Sequence, residues 1–192
     1  MALTTSTMLA LGAKLPAFRL PDTVSGREVS DTDFAGRPLL VAFMCEHCPF
    51  VRHIREGIAA LGRYAAEVNV GMVAISSNDP GSHPADGPLH MAEGARRSGF
   101  VFPYLFDESQ AVARSFRAAC TPEFYLFDEH GHLVYRGQMD GARPSNGVPV
   151  TGADVRAAID EVIAGRLPSA DQKPSIGCNI KWKPGSAPDY AS

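Results

Sequence analysis

Leu39-Leu40-Val41-Ala42-Phe43-Met44-Cys45-Glu46-His47-Cys48-Pro49-Phe50-Val51 decides the fold. An unbroken apolar run bounded by Gly36-Arg37-Pro38 has the pattern of a strand buried on both faces. Behind it, Val51, Ile54, Ile58, Leu61 and Ala65 recur at helical spacing up to Glu67. Pro49 suits the first helical position, where its missing N–H is not needed. Two cysteines separated by Glu46 and His47 therefore stand where a buried strand gives way to a helix. A thiol at a helix N-terminus meets unpaired N–H groups and the positive end of the dipole. Both favour thiolate, the species that exchanges disulfides. The pair is read as a dithiol/disulfide centre, with Cys45 attacking from the strand end as the more exposed sulfur. Cys48 resolves from inside the first helical turn.

The remaining elements follow from the same patterns. Phe18-Arg19-Leu20 and Arg27-Glu28-Val29 flank Pro21, Ser25 and Gly26 and predict a hairpin. Val70–Ile75 is a second buried strand, and 79–88, with Pro80, Pro84 and Pro88, is an irregular loop. A helix over Pro88–Arg97, a strand at Tyr104–Phe106 and a helix over Ser109–Ala118 capped by Ser109 or Asp107 come next. Strands at Phe124–Phe127 and Leu133–Arg136 are joined by Asp128-Glu129-His130-Gly131. A last helix, Val155–Ile163, stops at Gly165 and Pro168. This alternation predicts an α/β fold with a mostly parallel sheet, helices on both faces and an antiparallel closing hairpin. Residues 1–14 form a loose N-terminal arm, 15–167 the domain, and 168–192 an irregular C-terminal extension. Ile176, Ile180 and Trp182 pack part of that extension on the body.

Composition limits the function classes. The chain has 192 residues, 45% of them hydrophobic, which is enough to bury a core without disulfide staples. A formal charge of −3 with scattered Lys and Arg gives no case for nucleic acid. No stretch reaches the length of a membrane span, and the N-terminus lacks the basic start of a secretory signal. Four cysteines, Cys45, Cys48, Cys120 and Cys178, are too few and too unevenly spaced for a secreted scaffold. A cytoplasmic, reducing setting is expected, where a Cys-x-x-Cys is catalytic or metal-binding.

The Cys-x-x-Cys at a strand-to-helix junction, with Thr121-Pro122 directly before Glu123–Phe127, resembles the thioredoxin superfamily. The resemblance implies a three-layer α/β/α sandwich with a central mixed sheet. It also implies a cis proline at Pro122, and a Thr121 backbone that grips a substrate chain as an added strand. Within the superfamily the chain is most similar to the peroxiredoxin-like redoxin branch of the alkyl hydroperoxide reductase and thiol-specific antioxidant group. The segments that carry this are Phe43–Val51, Ser76-Ser77-Asn78-Asp79-Pro80, Cys120-Thr121-Pro122-Glu123-Phe124 and Ile176-Gly177-Cys178-Asn179-Ile180-Lys181-Trp182-Lys183.

The chain departs from both patterns. Peroxiredoxins carry P-x-x-x-T-x-x-C; counting back from Cys48 gives Cys45 and Val41, and from Cys45 gives Ala42 and Pro38. The arginine of the peroxide clamp would fall where Thr121-Pro122 stands. Thioredoxin's buried acid and its tryptophan are Leu39 and Met44 here. Glu46, His47 or water is left to accept the proton. A protonated His47 would favour the thiolate and an oxidising couple, while Glu46 would oppose it by like-charge repulsion.

Cys120 and Cys178 are candidate redox partners, each with a plain alternative as a small buried side chain. A zinc site would need two more ligands beyond Cys45 and Cys48, such as Cys120 or His53, and no second motif supplies them. The expected activity is that of a thiol-disulfide oxidoreductase with an antioxidant role. Its electrons come from a dithiol protein or a low-molecular-weight thiol, and no organic cofactor or metal is implied. The alternatives are a peroxiredoxin-like peroxidase acting on peroxides, and a metal- or partner-binding module using the same thiols.

Overall fold

The structure, a computed structural model, describes residues 3–191. In chain order its strands are β1 (Leu3–Thr5), β2 (Arg19–Pro21), β3 (Glu28–Ser30), β4 (Leu39–Phe43), β5 (Gly71–Ser76), β6 (Tyr104–Phe106), β7 (Cys120–Thr121), β8 (Glu123–Phe127), β9 (Leu133–Gly137) and β10 (Ile176–Asn179). The helices are α1 (Pro49–Glu67), α2 (Pro88–Ser98), α3 (Ala111–Ser115) and α4 (Ala153–Ile163).

β4 is buried along its whole length because it is the middle of the main sheet, ordered β6-β5-β4-β8-β9. Its alternate residues feed two different cores. Leu40 and Ala42 join Val51, Ile54, Ile58 and Leu61 of α1 and Val155 and Ile159 of α4. Leu39, Val41 and Phe43 join Phe18 and Leu20 of the hairpin, Val112 of α3, Phe116 and Ile180. The expected three layers are present, with α1, α2 and α4 on one face. The other face is covered by short α3, the β2–β3 hairpin and the tail. β5 and β6 run parallel to β4, β8 runs antiparallel to it, and β9, antiparallel to β8, again runs in the direction of β4. The sheet is therefore mixed, as expected, with its antiparallel pairing contributed by the closing hairpin.

The helix expected over Ser109–Ala118 is confined to Ala111–Ser115. It starts from Gln110 at φ 62° and ends short of Arg117 at φ 52°, both left-handed. Gln110 holds the N-cap position, but both expected side chains serve the helix start, with the Ser109 hydroxyl accepting the Ala111 N–H at 3.2 Å. The Asp107 carboxylate accepts the Ala113 N–H of the first turn at 3.0 Å and the Ser77 hydroxyl at 2.9 Å.

The chain ends depart further from expectation. Leu3–Thr5, placed in a loose arm, pairs antiparallel with Ile176–Asn179, placed in an irregular tail. β10 in turn pairs with β7, Cys178 opposite Thr121 and Asn179 opposite Cys120. Such short strands have no periodicity to read and exist through main-chain pairing across the fold. Met1, Ala2 and Ser192 lie outside the described residues. Ile180 is buried, and Trp182 packs against the second core with the Arg114 guanidinium 5.5 Å from its ring centroid.

Gly177 permits this closure. A Cβ there would lie 2.0 Å from the Thr121 carbonyl oxygen, a backbone atom that cannot step aside. Gly177→Ala is expected to lower the urea midpoint, costing about 1–3 kcal/mol, and to make the segment after Gln172 easier to proteolyse. An unchanged midpoint and digestion pattern would show that β10 is not pressed on β7.

Candidate active site

Cys48 is the N-cap residue of α1, with extended backbone (φ −66°, ψ 122°), one position outside the first turn where it was expected. Pro49 follows as the first helical residue. Cys45 lies in the turn between β4 and α1. The two are equally hidden, at 1% and 0% exposure, so Cys45 is not the more exposed sulfur. The β7 strand and the tail close over both.

Thr121 touches each of them. Its hydroxyl is 3.5 Å from Cys45 Sγ, and its carbonyl oxygen is 3.3 Å from Cys48 Sγ. The Thr121-Pro122 peptide is cis. The edge of β7 expected to grip a foreign chain is already paired with β10.

The two thiols hydrogen-bond to one another. The hydrogen bond from Cys45 holds the Cys48 pKa at about 4 against the opposing effect of burial, with help from the Val51 N–H, Thr121 and Cys178. Cys45 is pushed well above its usual value by that same bond to Cys48, by burial and by the Asp86 charge. The first ionisation thus falls on Cys48 rather than on the sulfur expected to attack. Each location of the remaining proton has a partner. On Cys45 it points to Cys48. On Cys48 it faces the Thr121 carbonyl, leaving Cys45 ionised beside the Thr121 hydroxyl and His47.

His47 Nδ1 is 3.7 Å from Cys45 Sγ and 2.5 Å from Asp86 Oδ2. The short approach to a carboxylate assigns the proton to Nδ1. Asp86 also accepts the Glu46 and His47 N–H groups at 2.8 and 3.0 Å and the Asn78 amide at 2.8 Å. Burial works to raise its pKa, but His47 and Asn78 overrule that and hold the carboxyl below its ordinary range. The His83 ring lies over His47 with centroids 4.6 Å apart.

Glu46 does not face the thiols. Its carboxylate pairs with Arg55 at 3.0 Å in a space left open by Gly94, and the Arg52 Nε–H donates to its carbonyl. Its charge is paired with Arg55 rather than set against the thiols, and among Glu46 and His47 only His47 lies beside Cys45.

Cys45, His47 and Asp86 offer ligand atoms within 4.8 Å of one another. Two ligands of a tetrahedral zinc with bonds near 2.0 Å stand about 3.3 Å apart. The 2.5 Å between His47 and Asp86 is a hydrogen bond instead. His53 is exposed on α1, away from any such cluster.

Of the outlying cysteines, Cys178 reaches the site and Cys120 does not. Cys178 and Cys48 hydrogen-bond to one another. Cys120 Sγ lies 4.0 Å from Glu123 Oε2. Glu123 is fully buried and accepts the Ala119 N–H, and burial pushes its carboxyl up to about 7 against that bond.

A family model described as AhpC/TSA family matches residues 11–136. The chain belongs to the AhpC/TSA family. An uncharacterised conserved protein from Geobacillus kaustophilus is 44% identical, with a TM-score of 0.94 over 97% of this chain and 99% of that one. A hypothetical protein from Sinorhizobium meliloti 1021 is 45% identical, with a TM-score of 0.92 over 95% of this chain and 100% of that one. The thioredoxin domain of a thiol-disulfide oxidoreductase from Bacteroides vulgatus is 18% identical with a TM-score of 0.59, covering 77% and 96% of the two chains. It shares the thioredoxin-like fold. None of the curated proteins matches. Among the described residues, no helix is long and apolar enough to cross a membrane.

In this family member, sequence reasoning missed Asp86, His83 and Glu123. No local spacing ties the loop at 79–88 to Cys45, so Asp86 left no signal. Glu123 did leave one, as a lone acid at the head of the apolar run Phe124–Phe127.

Two titrations follow. Ultraviolet thiolate absorbance should show one thiolate per reduced chain with a midpoint at about 4. Cys48→Ser should remove that step. Because the folded value lies below the ordinary 9.0, the stabilisation from Cys48 ionisation is complete above about 9 and gone below about 4. Glu123 has the opposite sign, rising from 4.5 to about 7 on folding. Its contribution is intact below 4.5 and lost as pH rises through 7. Glu123→Gln should therefore gain stability relative to wild type between pH 5 and 8 in urea melts. Parallel curves would rule out a buried acid titrating there.

Proposed function

We propose that this protein is a thiol-disulfide oxidoreductase with an antioxidant role, working through Cys45 and Cys48. The observation that carries the reading is the pairing of Cys45 and Cys48 with a partner at each sulfur, the Thr121 hydroxyl and His47 at Cys45 and the Thr121 carbonyl at Cys48. In the attacking form Cys45 is ionised and Cys48 holds the proton towards Thr121. Cys45 attacks one sulfur of a substrate disulfide, and the substrate's other sulfur leaves as thiolate. Cys48 then attacks Cys45, releasing the second substrate sulfur and closing the Cys45–Cys48 bond. His47, its Nδ1 proton held by Asp86, stabilises the Cys45 thiolate. Pro49 sets the helix start and Thr121-Pro122 orient Cys45. Glu46 anchors the loop through Arg55.

Because β10 fills the β7 edge, small disulfides suit the site better than extended chains. A dithiol protein or a low-molecular-weight thiol returns the electrons. A cytoplasmic setting, which keeps thiols reduced, suits this cycle.

Membership of the AhpC/TSA family favours a second reading, a thiol peroxidase in which peroxide oxidises one cysteine to sulfenic acid. Against it stands the engagement of Arg52 and Arg55 by Glu46, which leaves neither directed at Cys45.

Turnover of a small disulfide, followed beside peroxide consumption, separates the two. Cys45→Ser should abolish disulfide reduction, Cys48→Ser should trap the mixed disulfide as a mass adduct, and His47→Ala should slow turnover by about 100-fold. Fast peroxide consumption lost in either cysteine variant, with no disulfide turnover, would hand the site to the peroxidase.

A further inference from the structure

Cys178 is a sulfur that the two-cysteine cycle leaves unused, yet the fold delivers it to the centre. We infer that Cys178 is a third exchange partner, taking Cys48 out of the Cys45–Cys48 disulfide to form a Cys48–Cys178 bond. The inference rests on the thiol-disulfide function proposed for Cys45 and Cys48.

The placement is built by backbone register. β10 sets Cys178 opposite Thr121, and cross-strand partners project to the same face. Thr121 is the residue that touches both Cys45 and Cys48. Gly177 allows the strand to close on the Thr121 carbonyl, where any side chain would collide. Beyond β10, the Lys181 N–H donates to Asn78 Oδ1 at 2.8 Å and Gln110 Nε2 donates to the Lys181 carbonyl at 2.9 Å. The tail is thus fixed on both sides of Cys178. The Cys48 and Cys178 side chains share one buried cluster and hydrogen-bond to each other.

Cys120, one residue along β7, projects the other way and lies against Glu123, which excludes it from the role. Burial, then Cys48, pushes the Cys178 thiol up to about 12, so it holds its proton in the reduced protein. In the oxidised protein Cys48 carries no charge, so its part in holding the proton on Cys178 is gone and burial is left.

The exchange balances within the chain. Cys178 gives up its proton and its sulfur attacks Cys48 Sγ. The Cys45–Cys48 bond breaks as the Cys48–Cys178 bond forms, and the electron pair leaves on Cys45. The leaving Cys45 thiolate takes up the proton that Cys178 gave up, beside the Thr121 hydroxyl and His47. Cys178 is oxidised, Cys45 is reduced, and no outside oxidant is needed. The product stores the disulfide under β10 and frees Cys45 for a second encounter.

Disulfide mapping after exposure of the reduced protein to glutathione disulfide tests this. In the wild-type chain the expected products are both Cys45–Cys48 and Cys48–Cys178. In Cys45→Ser, glutathione on Cys48 should be displaced by Cys178, leaving Cys48–Cys178 and no retained glutathione. The double variant Cys45→Ser/Cys178→Ser should keep glutathione on Cys48. If wild type forms Cys45–Cys48 alone and Cys45→Ser retains glutathione as the double variant does, the inference is overturned while the dithiol reading stands. If wild type forms neither bond, both fall together. The wild-type chain itself supplies one readout, so the test holds even where a variant fails to fold.

Discussion

One buried carboxylate organises the site. Asp86 accepts four hydrogen bonds, from the Glu46 and His47 main chain, the His47 ring and the Asn78 amide. A buried charge without partners would be severely penalised, and removing one partner of such a group commonly costs several kcal/mol. Here every donor comes from a different demand of the fold. The two N–H groups belong to the turn that β4 and α1 leave without regular pairing. The His47 ring is fixed next to Cys45, and Asn78 lies just after β5. The loop at 79–88 therefore does more than link β5 to α2. It delivers the acceptor without which the dithiol turn would bury unsatisfied donors.

That turn explains the ionisation pattern. Cys48 at the N-cap lies in the field of α1 and is approached by the Val51 N–H, while Cys45 lies nearer the Asp86 charge. A negative charge is thus favoured deeper in the helix start and disfavoured at the outer sulfur. His47 offsets part of the Asp86 field by sharing a proton with it. The distribution is balanced so that moving a single proton between neighbouring sulfurs exchanges which of them is nucleophilic.

Sequence patterning carried the parts of the fold made by long periodic segments. Pro49–Glu67 and the strand at Leu39 have boundaries that follow from apolar spacing and one proline. Tyr104–Phe106 was legible for the same reason. The cis Thr121-Pro122 peptide was accessible only through resemblance. What stayed hidden was set by tertiary pairing: β1 and β10 have no pattern of their own, and α3 is cut short by left-handed residues that no composition rule marks. At the site the cysteines and His47 were visible as a local motif. Asp86 was not, since its role depends on a loop folding back across the helix start. Glu46 misled because charge was visible in the sequence while direction was not, and only the packing of α2, with Gly94 leaving room, turns it to Arg55.

The tail ties these observations together. Strands of three and four residues have little stability in isolation, so β1 and β10 persist only as long as β7 holds its shape. β7 in turn is the strand whose hydroxyl and carbonyl contact the two sulfurs. Asn78 bridges the same elements from the other side, donating to Asp86 and accepting from Lys181. A change of bonding at the dithiol therefore acts on the same residues that hold the tail, and loosening the tail acts on the residues that hold the thiolate. With both sulfurs covered in the described structure, access to them and the seating of β10 are two aspects of one equilibrium. On the function proposed above, a partner that needs the β7 edge would first have to displace β10 from it. On that reading, selection among partners would rest on the tail's main-chain pairing rather than on any side chain of the Cys-x-x-Cys motif.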